Sequence, residues 1–162
     1  MRSMILLAVV VVMAAACGGG SSVPENCASG DAWSGGNEES SLMNPGQDCV
    51  ACHTAQQEGP RFVIAGTVAG ATNDDDNCNG LEGVKVQITG NDGQVLELTT
   101  NAAGNFFAKE GQATVALPYK VKVIGPTGKT SAMNTAQSTG SCNSCHTAAG
   151  ANGGPGRITV PQ

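Results

Sequence analysis

Val84-Lys85-Val86-Gln87-Ile88 alternates apolar and polar side chains, and Leu96-Glu97-Leu98 and Tyr119-Lys120-Val121-Lys122-Val123 do the same. Successive side chains of an extended chain point to opposite faces, so a period of two commits one face to a core and the other to water. Phe62-Val63-Ile64-Ala65-Gly66-Thr67-Val68 is a further β-prone run. Turn formers stand between these runs: Asn79-Gly80, Asn91-Asp92-Gly93, Ala103-Gly104-Asn105 and Gly125-Pro126-Thr127-Gly128. Short strands at this spacing predict an all-β sandwich over residues 62–133, with no amphipathic helix of real length inside it.

Outward from that block the sequence turns irregular. Residues 17–48 read as a tether and a polar arm. They begin with the flexible Gly18-Gly19-Gly20-Ser21-Ser22 and continue, rich in Gly, Ser, Asn and Glu and without period, in a composition that favours partial disorder. Residues 1–16 have the character of an export leader: Arg2, an apolar run from Ile5 to Val12, and Ala14-Ala15-Ala16 ahead of Cys17. A membrane span needs about 20 apolar residues, so a run this short fits the h-region of a signal peptide instead. The small residues before Cys17 resemble a bacterial lipobox, although Ala14 stands where leucine is usual. The resemblance implies a diacylglycerol on Cys17 and a protein anchored to the bacterial cell envelope, at the outer membrane or its periplasmic face. Ordinary signal cleavage nearby, with Cys17 incidental, is the competing reading.

The formal net charge of −5 offers no basic patch for nucleic acid. Trp33, Phe62, Phe106, Phe107 and Tyr119 are the only aromatic residues, and glycine occurs 23 times. A core so thin for its chain length gains order from bound groups or cross-links.

Four stretches of the β-rich block carry a family resemblance. Gly66-Thr67-Val68, Leu81-Glu82-Gly83-Val84-Lys85-Val86, Thr99-Thr100-Asn101-Ala102-Ala103-Gly104-Asn105-Phe106 and Pro118-Tyr119-Lys120-Val121 are similar to carboxypeptidase regulatory-like domains. The resemblance implies a transthyretin-like, Ig-like β-sandwich and brings no peptidase residues with it. Asn101-Ala102-Ala103-Gly104 departs from the family at a turn where aspartate is common.

Chemistry is concentrated in two motifs that flank the block. Cys49-Val50-Ala51-Cys52-His53, in the segment 49–61, and Cys142-Asn143-Ser144-Cys145-His146, in the segment 134–162, both match C-x-x-C-H, the attachment signature of c-type haem. Two thiols one turn apart can add to the two vinyl groups on one edge of a porphyrin, and the next residue, histidine, can present an imidazole nitrogen to the iron. His53 and His146 are the chain's only histidines. With seven cysteines in the chain, chance would place a given histidine in this pattern about two times in a thousand. Covalent haem attachment outside the cytoplasm also agrees with an export leader. Two other readings compete. The four cysteines could form disulfides beside incidental histidines, or two C-x-x-C halves could hold zinc or iron–sulfur. Against the second, zinc ribbons belong to reducing compartments and keep their halves closer in sequence.

The other cysteines complete the pattern. With Cys17 lipidated and four thiols in the motifs, Cys27 and Cys78 remain, and an oxidising compartment predicts a disulfide between them; a free or intermolecular thiol is the alternative. Bis-histidine ligation within one chain is excluded for want of a third histidine. Met43 and Met133, the only methionines outside the leader, are therefore the candidate distal ligands, and each lies within nine residues of a motif. His/Met ligation would raise the potential and close the iron to substrates, while ordinary packing is the alternative role for either methionine. Asp75, Asn77, Asn79 and Gly80 match the first half of an EF-hand loop, but Val86 stands where its bidentate glutamate belongs. A solvated acidic turn is the better reading there than calcium binding.

These observations predict a dihaem c-type lipoprotein that exchanges electrons with redox partner proteins and is not an enzyme. Haem peroxidase-like or small-ligand chemistry is the outcome if the irons lack a sixth ligand. A binding or adhesion lipoprotein stiffened by disulfides is the alternative from another class. Residues 142–157 resemble segments of small haem lipoproteins, and a last short strand is expected over Arg157-Ile158-Thr159-Val160.

Overall fold

The computed structural model describes residues 40–57, 59–70 and 80–161. The leader, Cys17, Cys27, the Asp75 loop and Cys78 lie outside these residues. Among the described residues there are six strands: β1 (Phe62–Thr67), β2 (Lys85–Thr89), β3 (Val95–Thr99), β4 (Asn105–Lys109), β5 (Lys120–Ile124) and β6 (Thr130–Ala132). They form two antiparallel sheets, β1-β4 and β3-β2-β5-β6. A short helix, α1 (Cys49–Gln56), precedes β1, and a 3₁₀ turn occupies Cys142–Ser144. The fold is all-β. No described helix is long and apolar enough to cross a membrane.

The period-two stretches become strands with the expected faces. Val86 and Ile88 of β2 and Val121 and Val123 of β5 are buried, while Lys85, Lys120 and Lys122 face water. Pairing places Val86 opposite Val123 and Ile88 opposite Val121, so the apolar side chains stack across the ladder. On the other side of β2, Leu98 faces Val86 and Leu96 faces Ile88; both leucines are only half-buried because β3 is an edge strand. Ile64 of β1 and Phe106 and Ala108 of β4 join the same buried cluster, so both sheets share one core. Each fully buried side chain of this size stabilises the fold by roughly 1.5–3 kcal/mol.

Two elements differ from the sequence pattern. β4 does not alternate cleanly, because Phe107 packs at 5.0 Å against Phe62 and is covered on the face that would otherwise be wet. The strand expected over Arg157–Val160 does not form: Ile158 makes one isolated parallel bridge to Val68. A ladder needs successive bridges, and after Val68 the chain turns to other partners: Ala69 still donates its amide to the Ile158 carbonyl at 2.8 Å, but its bridge is to Gly80.

Candidate functional site

Asp48 starts the first motif. It sits at the N-cap of α1, where its Oδ1 accepts the Ala51 amide at 2.9 Å, satisfying a donor that has no partner inside the helix. On a helix, positions three and four apart share a face, so Cys49, Cys52 and His53 project from one side of α1. The helix packs against β1 and ends at Gln57, in the left-handed region with φ 55°. The His53 ring meets Phe62 edge-on at 4.7 Å. It also lies so close to Gly59 that a Cβ there would come within 3.1 Å of its Cε1.

The second motif is built differently. Cys142–Ser144 is a single 3₁₀ turn, and the amides of Cys145 and His146 both close on the Cys142 carbonyl, at 3.2 and 3.0 Å. β1 anchors this turn directly. Ala65 donates its amide to the Gly140 carbonyl at 2.9 Å, Ala65 bridges Ser141 in parallel, and the Thr67 amide donates to Asn143 Oδ1 at 3.2 Å. Gly66 makes the approach possible: a Cβ there would lie 2.7 Å from Cys142 Cβ and 2.7 Å from Phe106 Cζ.

β1 thereby brings the two motifs together. The Ser141 hydroxyl donates to Asp48 Oδ1, joining the residues immediately before Cys142 and Cys49. Asn143 Nδ2 donates to the Gln47 carbonyl at 2.8 Å. Nothing in the sequence placed these segments side by side.

A cavity of about 690 Å³ opens at the second motif, with Cys142, Cys145, His146, Met133, Tyr119 and Arg157 among its walls. His146 Nδ1 lies 2.8 Å from the Gly156 carbonyl. A carbonyl can only accept, so Nδ1 carries a proton, and the tautomer this contact selects has its lone pair on Nε2. A ligating imidazole is held in this way by its other ring nitrogen. The chain around Cys142 therefore fits a covalently attached haem: two thiols a turn apart, an oriented histidine, room in the range of small-molecule sites, and a methionine in the same wall. The Tyr119 hydroxyl donates to the Thr139 carbonyl and stiffens the approach to Ser141.

The first motif fits less completely. Cys49, Cys142 and Cys145 are free thiols, but Cys52 is disulfide-bonded. A disulfide sulfur cannot add to a vinyl group, so haem attachment at Cys52 requires that bond to be opened first. Burial pushes the Cys49 thiol up to about 11, with the Asp48 carboxylate adding to the rise. Burial pushes Cys142 up to about 12, and neighbouring Cys49 contributes. Burial raises the Tyr119 phenol as well, with Cys142 beside it adding to the effect.

Of the remaining expected site residues, Met133 follows β6 and lines the cavity. Met43 lies in the turn ahead of α1, its carbonyl accepting from Asn105 Nδ2 at 3.0 Å, and does not line the cavity. Lipidation of Cys17, the Cys27–Cys78 bond and calcium at Asp75 concern residues outside those described. Among the described residues, no three His, Cys, Asp or Glu side chains converge as a closed metal site would need. Sequence reasoning missed Asn143, Ser141, Thr67 and Gly156. Asp48 was detectable as an N-cap residue directly before an eight-residue helix. No family model, curated protein or solved structure matches this chain.

Proposed function

We propose that this chain is an exported, lipid-anchored protein carrying two covalent c-type haems and transferring electrons between partner proteins. Cys142 and Cys145 would hold one haem with His146 as proximal ligand and Met133 as candidate distal ligand. Cys49, Cys52 and His53 would hold the other, with Met43 as the candidate opposite His53. The shared core of the two sheets is consistent with a transthyretin-like β-sandwich serving as scaffold. Haem supplies one-electron chemistry here; the chain supplies attachment, orientation and a partly apolar surround that tunes potential. One observation carries this reading: the Nδ1 of His146 is committed to the Gly156 carbonyl beside two free thiols and a methionine on one cavity.

The test is the intact mass and pyridine haemochrome spectrum of the full chain made in a host competent for c-type haem attachment. Two haem additions are expected. A colourless protein from that host would end this reading.

A second reading has its own support. The disulfide at Cys52 favours an anchored β-domain for binding or adhesion, with the first motif used as a cross-link. A mass with no haem and no free thiol at Cys52 is its signature.

A further inference from the structure

Three buried polar side chains connect the two motifs through β1. The Thr67 hydroxyl donates to Asn105 Oδ1 at 2.8 Å and accepts from the Gly46 amide at 2.8 Å and from Asn143 Nδ2 at 3.2 Å. Asn143 spends its second amide hydrogen on the Gln47 carbonyl at 2.8 Å and its oxygen on the Thr67 amide at 3.2 Å. Asn105 Nδ2 reaches the Met43 carbonyl at 3.0 Å. Thr67, Asn105 and Asn143 are 6%, 4% and 5% exposed, and both amide hydrogens of Asn143 and the hydrogen and both lone pairs of the Thr67 hydroxyl are used.

A buried polar network of this kind is costly to assemble and adds little net stability over apolar packing. What it supplies is a single geometry, since any displacement strands a buried donor or acceptor. Here the geometry it fixes is specific. Asn143 is one of the two variable residues inside the second C-x-x-C-H, and it binds the backbone two residues before the first. Asp48 and Ser141 make a second link one residue before each leading cysteine. Consecutive Cα atoms are about 3.8 Å apart, so each leading cysteine lies one peptide unit from a residue, Asp48 or Ser141, and those two residues are hydrogen-bonded to each other.

We propose that the two C-x-x-C-H motifs form a single dihaem centre, in which Asn143 and Thr67 are positioning residues that hold one attachment site against the other so that electrons pass between the two irons within one chain. The inference rests on the haem reading above, with the Cys52 disulfide reduced before attachment, and goes beyond it: two haems could otherwise act as independent centres. In the exchange one iron goes from ferrous to ferric as the other goes from ferric to ferrous; no bond forms or breaks. Asn143, Thr67 and Asn105 are neutral and do not titrate, so none of them couples a proton to the step.

The test uses the full chain with haem attached. Electron paramagnetic resonance spectra of the oxidised protein are compared with those of two single-motif variants, Cys49→Ala with Cys52→Ala, and Cys142→Ala with Cys145→Ala. The expected wild-type spectrum is not the sum of the two, because neighbouring paramagnetic irons couple. Asn143→Leu, which removes the side-chain bonds to Gln47 and Thr67, moves the spectrum toward that sum, while Thr67→Ser keeps the hydroxyl and keeps the coupling. Ile88→Val weakens the core away from the motifs and leaves the coupling in place, which separates positioning from general loosening. A wild-type spectrum equal to the sum, in a protein shown by mass to carry two haems, overturns the inference and leaves the haem reading standing. Fewer than two haems by mass overturns the paired centre at its premise. Should Asn143→Leu fail to accumulate, the wild-type comparison still decides, since it alters nothing in the network.

Discussion

The two motifs share a sequence pattern and a neighbourhood but not a structure. The first lies on a capped helix packed outside β1, with its histidine against Phe62 and its second cysteine in a disulfide. The second is one tight turn locked to β1 by backbone bonds. Its thiols are free, its imidazole is oriented by a carbonyl and it opens on a cavity. Identical spacing thus yields one motif with free thiols and an oriented imidazole and another with one of its cysteines already in a disulfide. The difference lies in what surrounds each motif.

The most damaging way to probe this contrast is Gly66→Ala. The new methyl would press on Cys142 Cβ and the Phe106 ring, each at 2.7 Å, and overpacking of that kind costs roughly 1–3 kcal/mol. The melting temperature should fall, and mass spectrometry should find haem depleted at Cys142 and Cys145 before Cys49 and Cys52. Equal depletion at both would mean that the motifs are not held independently by β1.

Met133→Leu is the next largest. Volume is nearly conserved, so stability should change little, while loss of a thioether ligand should lower the potential of the second haem and allow carbon monoxide to bind it. Unchanged spectra on adding the gas would remove Met133 from the iron.

The haem-free chain separates the motifs by pH. Because folding raises the Cys49 and Cys142 thiols to about 11 and about 12, it favours their neutral forms. Their stabilising effect is therefore full below the ordinary thiol value of 9.0 and is lost as pH climbs through the raised values. Thermal melts of haem-free protein should decline steadily between those limits. The thiolate is the reactive form, so alkylation of Cys142 should lag that of Cys49 at any intermediate pH. Faster labelling of Cys142 would contradict its deeper protection.

Glu97→Gln should be the mildest change. The pair with Lys85, at 3.2 Å, is exposed on both sides, and such pairs contribute little. Contacts with Gln87 and then Lys85 lower the Glu97 carboxyl, yet melting temperature and haem content at either motif should stay within error.

Much of the fold was legible. Val84 to Ile88 and Tyr119 to Val123 announced their strands because one face of each is wet. β4 escaped, because Phe107 is covered by Phe62 and erases the alternation. The C-terminal strand was overread: apolar residues at 158 and 160 suit a ladder, but whether a partner is free is a fact about β1. At the site, the two C-x-x-C-H patterns were legible, and counting methionines singled out Met133, which lines the cavity. Asn143 carried no mark, since the variable positions of such a motif accept many residues.

Local chemistry, then, is what the sequence alone determined: which runs alternate, where the thiols and imidazoles stand, and that both histidines follow cysteine pairs. Tertiary structure decided which segments meet. Residues 48 and 141 become hydrogen-bonded neighbours only because α1 and the 3₁₀ turn both dock on β1. Contacts between residues so distant in the chain come from three-dimensional packing, which local propensity and spacing do not encode.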